Sequence, residues 1–315
     1  MGHNGGLPPE RPMTQPSLFK DRITREILPR VQLPGQYVGG ELNSVVKDHA
    51  TVRGTLCLAF PDAYTIGMSH HGLQVLYALM NGRADWACER AFSPMPDMER
   101  LLRERGLPLF SLETFTPLGE FDVLGFTLQY ELCATNVLAM LDLAGIPRHA
   151  DRRLPEHPLV IAGGPVVANP EPLAPFFDLF VVGDGEESLP AVCDAWLASG
   201  RDGSPRLERL AALAAQLPFV YVPQLYRPAD DGAVEPLRAE ARPLVEPAVV
   251  DDLDAMPLPT RPIVPMVECV QDRITIEIMR GCPGRCRFCQ SSPLKRPLRY
   301  RSVETILRAA VESYE

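Results

Sequence analysis

Three of the eight cysteines in this 315-residue sequence fall within eight residues, at Cys282, Cys286 and Cys289, in the run Arg-Gly-Cys-Pro-Gly-Arg-Cys-Arg-Phe-Cys. Thiols this close suit one shared inorganic centre, and in a reducing compartment they read as metal ligands before disulfides. The count of three carries the information. A structural zinc site closes its tetrahedron with four protein ligands, and no cysteine or histidine follows Cys289. Upstream, Cys269 is separated from the loop by the alternating apolar run Ile274, Ile276, Ile278, which predicts a strand that holds it away. A 4Fe-4S cluster usually takes four cysteines, so three leave one iron open to a substrate or cofactor. Cys57, Cys133 and Cys193 stand in apolar runs and read as small buried hydrophobes.

At these residues the chain resembles the radical S-adenosylmethionine (SAM) superfamily, whose signature is CxxxCxxC with an aromatic residue, here Phe288, before the third cysteine. The Met279-Arg280-Gly281 entry to the loop fits the same family. The resemblance implies that Cys282, Cys286 and Cys289 hold three irons of a 4Fe-4S cluster while SAM chelates the fourth. It also implies that Phe288 lies against the adenine, and that an electron from a donor such as a flavodoxin or ferredoxin cleaves SAM to methionine and a 5′-deoxyadenosyl radical. A zinc-binding regulatory domain is the rival reading of the three thiols.

The elements that must position this loop follow from pattern. The length allows about two domains, and 46% apolar residues suffice for packed cores. From residue 34 to 200, strand and helix patterns alternate, which predicts an α/β fold with a doubly wound parallel sheet. Strands are expected at Thr55–Phe60, Asp122–Thr127, Leu159–Ala162 and Leu179–Val182, with helices carrying Leu73, Leu76, Tyr77 and Met80, then 97–105, then Leu132 to Leu143. Ligands of such sheets bind where the strands' carboxyl ends meet loop amides. Three loops there are candidates: Asp62 to Gly67, Gly163-Gly164-Pro165, and Gly183-Asp184-Gly185-Glu186-Glu187.

Together these loops resemble the cobalamin-binding domain that precedes many radical SAM domains. The resemblance implies a cobalamin site drawing on Asp62, Tyr64, Gly67, Gly163, Gly164, Gly183 and Glu186. The family pattern DxHxxG reads Asp62-Ala-Tyr64-Thr-Ile-Gly67 here, and a phenol is a poor cobalt ligand beside imidazole. Either cobalamin binds without a histidine below the metal, or the domain kept the fold without the cofactor. His70 and His71 open the next helix and read as surface or capping residues.

Residues 1–33 contain no long apolar run and are expected to be a flexible tail, neither signal peptide nor membrane span; a cytoplasmic protein is expected. Residues 201–270 hold eleven of the 33 prolines and predict a semi-rigid linker. Residues 271–315 then match the first strand and helix unit of a radical SAM TIM-type barrel: a strand at Ile274–Ile278, the cysteine loop, and a helix capped by Ser302 with an apolar stripe from Val303 to Tyr314. A complete barrel needs several more such units, so the expectation is a C-terminally incomplete domain, completed in one reading by a partner chain.

The net charge of −9 hides a local +6 between Gln271 and Arg301. A solvated basic face, charges offsetting a thiolate cluster and the SAM carboxylate, and a nucleic-acid contact through the Arg299-Tyr300-Arg301-Ser302 run are three readings of it. The expected function is a radical SAM enzyme, or its N-terminal portion, with substrate unassigned. Its rival is a catalytically incompetent fragment that binds a cluster or a partner.

Overall fold

The computed structural model describes residues 16–200, 203–230, 232–271 and 273–314. Its centre is a six-stranded sheet in the order β2-β1-β3-β4-β5-β6, formed by β1 (Gly54–Phe60), β2 (Trp86–Phe92), β3 (Val123–Thr127), β4 (Leu159–Gly163), β5 (Leu179–Val181) and β6 (Val220–Tyr221). The first five strands run parallel, with Leu56 opposite both Cys88 and Val123, and Val123 opposite Leu159. β6 joins antiparallel at the far edge, Phe180 facing Tyr221. The strand order 2-1-3-4-5 reverses direction between β1 and β3, and such a switch point opens a crevice at the carboxyl ends of the strands.

The strands are apolar because both faces are covered. The one-turn helix α2 (Tyr64–Gly67) follows β1; α3 (His71–Gly82), α4 (Pro96–Arg105), α5 (Ala134–Leu143) and α6 (Gly185–Ser199) complete the crossovers. α3 packs on α6, and α4 on α5, the pairing of a doubly wound sheet. α7 (Arg206–Gln216) then packs on α6 and feeds β6. Cys57, Cys133 and Cys193 are buried in the core, as their apolar neighbours predicted.

Strand β2 was hidden in the sequence by Glu89 and Arg90 at its centre. Both are buried: Arg90 pairs with Glu41 at 3.1 Å and Glu113 at 2.6 Å, and Glu89 with His49 at 2.6 Å. The segments 41–51 and 111–116 thus cover this edge strand with polar partners.

Residues 16–33 are not a tail. α1 (Pro16–Arg22) continues through a π turn at Ile23–Ile27, and Phe19, Ile23 and Ile27 are buried, their i, i+4, i+8 spacing forming one apolar stripe. Residues 1–15 of the expected tail lie outside the described residues.

The proline-rich stretch is a strap. After the hairpin of β7 (Tyr226–Pro228) and β8 (Val234–Pro236), it bridges Ala248 to Gly183 and Val264 to Leu42. It then gives the amide of Ile263 to Gln74 at 3.2 Å and that of Gln271 to Ser69 at 2.9 Å. Proline removes amides that would otherwise need ladder partners, so an extended strap can lie on a finished surface.

The predicted strand Ile274–Ile278 does not form as a strand, and at its end the Ile278 carbonyl accepts a ladder-like bond from the Arg301 amide at 3.0 Å. The ladder forms one step later, between β9 (Met279–Arg280) and β10 (Arg299–Tyr300), antiparallel, with the short helix α8 (Ser291–Leu294) between them. Among the described residues no strand lies beside 274–278, and Ile274 and Ile278 stay about half exposed. α9 (Val303–Tyr314) follows. Ser302 caps it as expected, its Oγ accepting from the Thr305 amide at 3.2 Å. Its buried residues are Thr305 and Ala309, so the stripe of Val303, Leu307, Val311 and Tyr314 faces outward.

Candidate functional site

The cysteines lie on the loop closed by β9 and β10. Gly281 makes the closure at φ +102°, where a Cβ would sit 2.5 Å from the Lys295 carbonyl; only glycine fits there. Cys282 and Cys286 are exposed and Cys289 is half-buried. A Cβ on Gly284 would lie 3.4 Å from the Cys282 Sγ and 3.6 Å from that of Cys286, so those two thiols converge on the space a side chain would fill. The Cys289 amide donates to the Cys286 carbonyl at 3.1 Å. The backbone amides of Ser292 and Ser291 hold the Cys289 thiol below its usual pKa, favouring the thiolate that binds metal. Among the described residues no three side chains are gathered closely enough to hold a metal ion. The donor set nevertheless suits a thiophilic iron centre: three thiols on one short loop, two converging and one inclined to ionise. Phe288, between Arg287 and Cys289, is 92% exposed.

The loop is anchored to the sheet by charge. Arg280, one residue before Gly281, donates from Nη1 to Glu186 at 3.1 Å and from Nε to Glu277 at 2.9 Å, with Asp184 3.2 Å from Nη1. Arg299, its partner across the ladder, donates to Asp184 at 2.6 Å, and Arg301 to Glu277 at 3.2 Å. Arg280 lifts above its ordinary pKa because these carboxylates outweigh its burial. Burial opposes the charge on Asp184, but Arg299 and Arg280 hold its carboxyl below the usual range. These bonds explain much of the local basic excess. Arg299 and Arg301 are buried, which withdraws from phosphate the two arginines behind the nucleic-acid reading. Sequence reasoning saw the acidic loop and the basic run separately; their opposite signs were the available signal that they meet.

Between the anchor and the sheet edge lies a cavity of about 410 Å³. Of the predicted cobalamin residues, Gly163, Gly164, Gly183 and Glu186 line it, together with His70 and His71. Asp62, Tyr64 and Gly67 do not. Asp62 accepts from the Tyr130 hydroxyl and from the Ala63 amide, and Gly67 packs against the Phe92 ring. Tyr64 is 1% exposed, its hydroxyl donating to Glu41 at 3.1 Å and accepting from the Met266 amide at 3.1 Å. Burial and the nearby Glu41 charge push its pKa far up, so the phenol is a neutral core group and does not fit a cobalt ligand at the sheet edge. His70 caps α3, its Nδ1 accepting from the Leu73 amide at 3.1 Å. Glu277, Thr127, Gln129 and Lys295 also line the cavity, and sequence reasoning missed them because they come from elements distant in the chain.

No helix among the described residues is long and apolar enough to cross a membrane. A stretch of 212 residues, 67% of the chain, is 26% identical to an uncharacterized protein of Methanocaldococcus jannaschii. The chain spans 39% of that relative's length. Residues 72–223 match the family described as radical SAM proteins, N-terminal. They hold most of the sheet and the floor of the cavity, while the cysteine loop lies beyond them. That match likens residues 72–223 to the N-terminal part of radical SAM proteins and does not reach Cys282, Cys286 or Cys289.

Proposed function

We propose that this chain carries the cluster-binding part of a radical SAM enzyme, with Cys282, Cys286 and Cys289 as the iron ligands and the α/β domain as their support. The observation that carries it is the convergence of Cys282 and Cys286 over Gly284, on a loop whose third thiol is held toward its ionised form. A reduced 4Fe-4S cluster, when bound, supplies the electron that cleaves SAM to methionine and a 5′-deoxyadenosyl radical. The chain's own residues hold that centre in place. Arg280 and Arg299 fix the two ends of the loop to Asp184 and Glu186, and Phe288 offers an open ring face for the adenine. Exposed Arg285 and Arg287 flank the thiols and give an acidic electron carrier such as a flavodoxin or ferredoxin a surface of opposite sign.

Anaerobic reconstitution with iron and sulfide, followed by dithionite and SAM, tests this. Substoichiometric iron, or equal iron in a Cys282→Ala, Cys286→Ala, Cys289→Ala protein, would sink the proposal. A second reading rests on the outward stripe of Val303, Leu307, Val311 and Tyr314: the chain binds the cluster but acts as a module that another segment or chain must cover. A loaded cluster that yields no 5′-deoxyadenosine would favour that reading.

A further inference from the structure

We propose that the cavity beneath the cysteine loop binds a flat, uncharged nitrogen heterocycle, seated against the carboxyl edge of the sheet and hydrogen-bonded by Thr127. Its volume of about 410 Å³ is that of a small-molecule site. The walls are aliphatic, built from Leu58, Val75, Leu76, Ile161, Val181 and Leu189. On the sheet side, Gly125 and Gly163 stand on the neighbouring strands β3 and β4. They present peptide planes where side chains would otherwise project, a mark of close approach by a ligand. A flat ring fits such a wall better than a branched chain.

Most of the charges around the cavity are spent on one another. Asp184, Glu186 and Glu277 are matched by Arg280, Arg299 and Arg301, and Lys295 lies 3.9 Å from Asp184. A phosphate or carboxylate entering the cavity would compete with Asp184, Glu186 and Glu277 for these cations. The open polar atoms are few. The Thr127 hydroxyl, at the end of β3 beside the switch point, lines the cavity and makes no side-chain hydrogen bond among the described residues. The ring of His71 also lines the cavity, and its Nε2 is buried without a hydrogen-bond partner, an open site that an ordered water or a bound group can satisfy.

This inference stands apart from the cluster chemistry, so it is tested on full-length protein stripped of metal by a chelator. Lumichrome, an uncharged tricyclic heterocycle, serves as the probe, with adenosine monophosphate as its charged counterpart, and binding is read by calorimetry and lumichrome fluorescence. Lumichrome is expected to bind, equally in the triple cysteine-to-alanine protein, with no heat from the monophosphate. Thr127→Val should weaken binding about tenfold, the loss of one hydrogen bond. Gly163→Leu should abolish it by filling the cavity; a Cβ there meets only the Val181 carbonyl, at 3.9 Å, so the backbone itself has room for a side chain. Leu76→Phe fills the cavity from the opposite wall and replaces Gly163→Leu if that protein does not fold. No lumichrome binding at about 1 mM, equal binding by the monophosphate, or unchanged affinity in the filling variant would each overturn the proposal.

Discussion

The guanidinium of Arg280 meets the carboxylate of Glu186 with Nη1 donating to Oε2 at 3.1 Å, and this joins the strand that enters the cysteine loop to the first turn of α6. The pair is shielded, Arg280 side chain 13% and Glu186 5% exposed, so removing one partner strands a charge. Glu186→Gln leaves Arg280 with Glu277 and Asp184 and should cost roughly 1–3 kcal/mol. Arg280→Gln takes the shared partner from three carboxylates, Asp184, Glu186 and Glu277, and should cost roughly 3–5 kcal/mol. Hydrogen exchange should rise across residues 279–300 in both proteins, while the amides of β1, β3 and β4 keep their protection; uniform loss of protection would show that the anchor is not local.

Tyr64 should behave as a core residue. Tyr64→Phe removes a hydroxyl that bonds Glu41 and the Met266 amide, so both lose a buried partner. The expected cost is about 1–3 kcal/mol, read as a lower denaturation midpoint with an unchanged denaturant slope. A protein as stable as wild type would mean that the hydroxyl is not engaged.

Much of this was legible in the sequence, and the failures share a physical cause. β1, β3, β4 and β5 announce themselves as short apolar runs because both their faces are buried. β2 does not, because the partners that neutralise Glu89 and Arg90, namely His49, Glu41 and Glu113, are up to about fifty residues away in sequence. The run Ile274–Ile278 has the alternation of a strand, yet alternation alone supplies no neighbour to pair with. The acidic loop 183–187 was read as a ligand-binding turn. Gly183 and Glu186 line the cavity, but Asp184 and Glu186 spend their charge on Arg280 and Arg299. Opposite signs hint at the meeting, but the residue-by-residue pairing comes from the fold, since it joins residues about a hundred positions apart.

Acid should loosen the contact between α3 and the cysteine segment. Burial, aided by Arg301 and Arg280 and opposed by Glu277 and Glu186, lowers the His71 pKa; burial does the same at His70. The unfolded chain, with imidazole pKa about 6.5, therefore takes up protons first. Stability is full above about pH 6.5 and falls as pH drops through that value toward the folded pKa. His49 has the opposite sign: burial lowers its pKa, but Glu89 more than offsets this and raises it, so its contribution is lost as pH rises. Thermal melts from pH 7.5 to 5.5 should show a decline that His71→Gln reduces. A decline unchanged in that variant would assign the effect elsewhere.

Gly281 offers the sharpest separation between the loop and the rest of the fold. Its φ of +102° disfavours any side chain, and an added Cβ would press on the Lys295 carbonyl at 2.5 Å and the Leu298 Cα at 3.1 Å, both backbone atoms that cannot swing aside. Gly281→Ala must therefore part β9 from β10, a two-residue ladder with little to resist it. The six-stranded sheet does not include this ladder, so the main unfolding transition should move by less than about 1 kcal/mol. Iron retained after anaerobic reconstitution should drop severalfold, because Cys282 follows Gly281 directly and loses its fixed approach to Cys286. Full iron retention would show that the loop gathers its thiols without the closure that Gly281 provides, and would move the source of their convergence to the turn at Gly284.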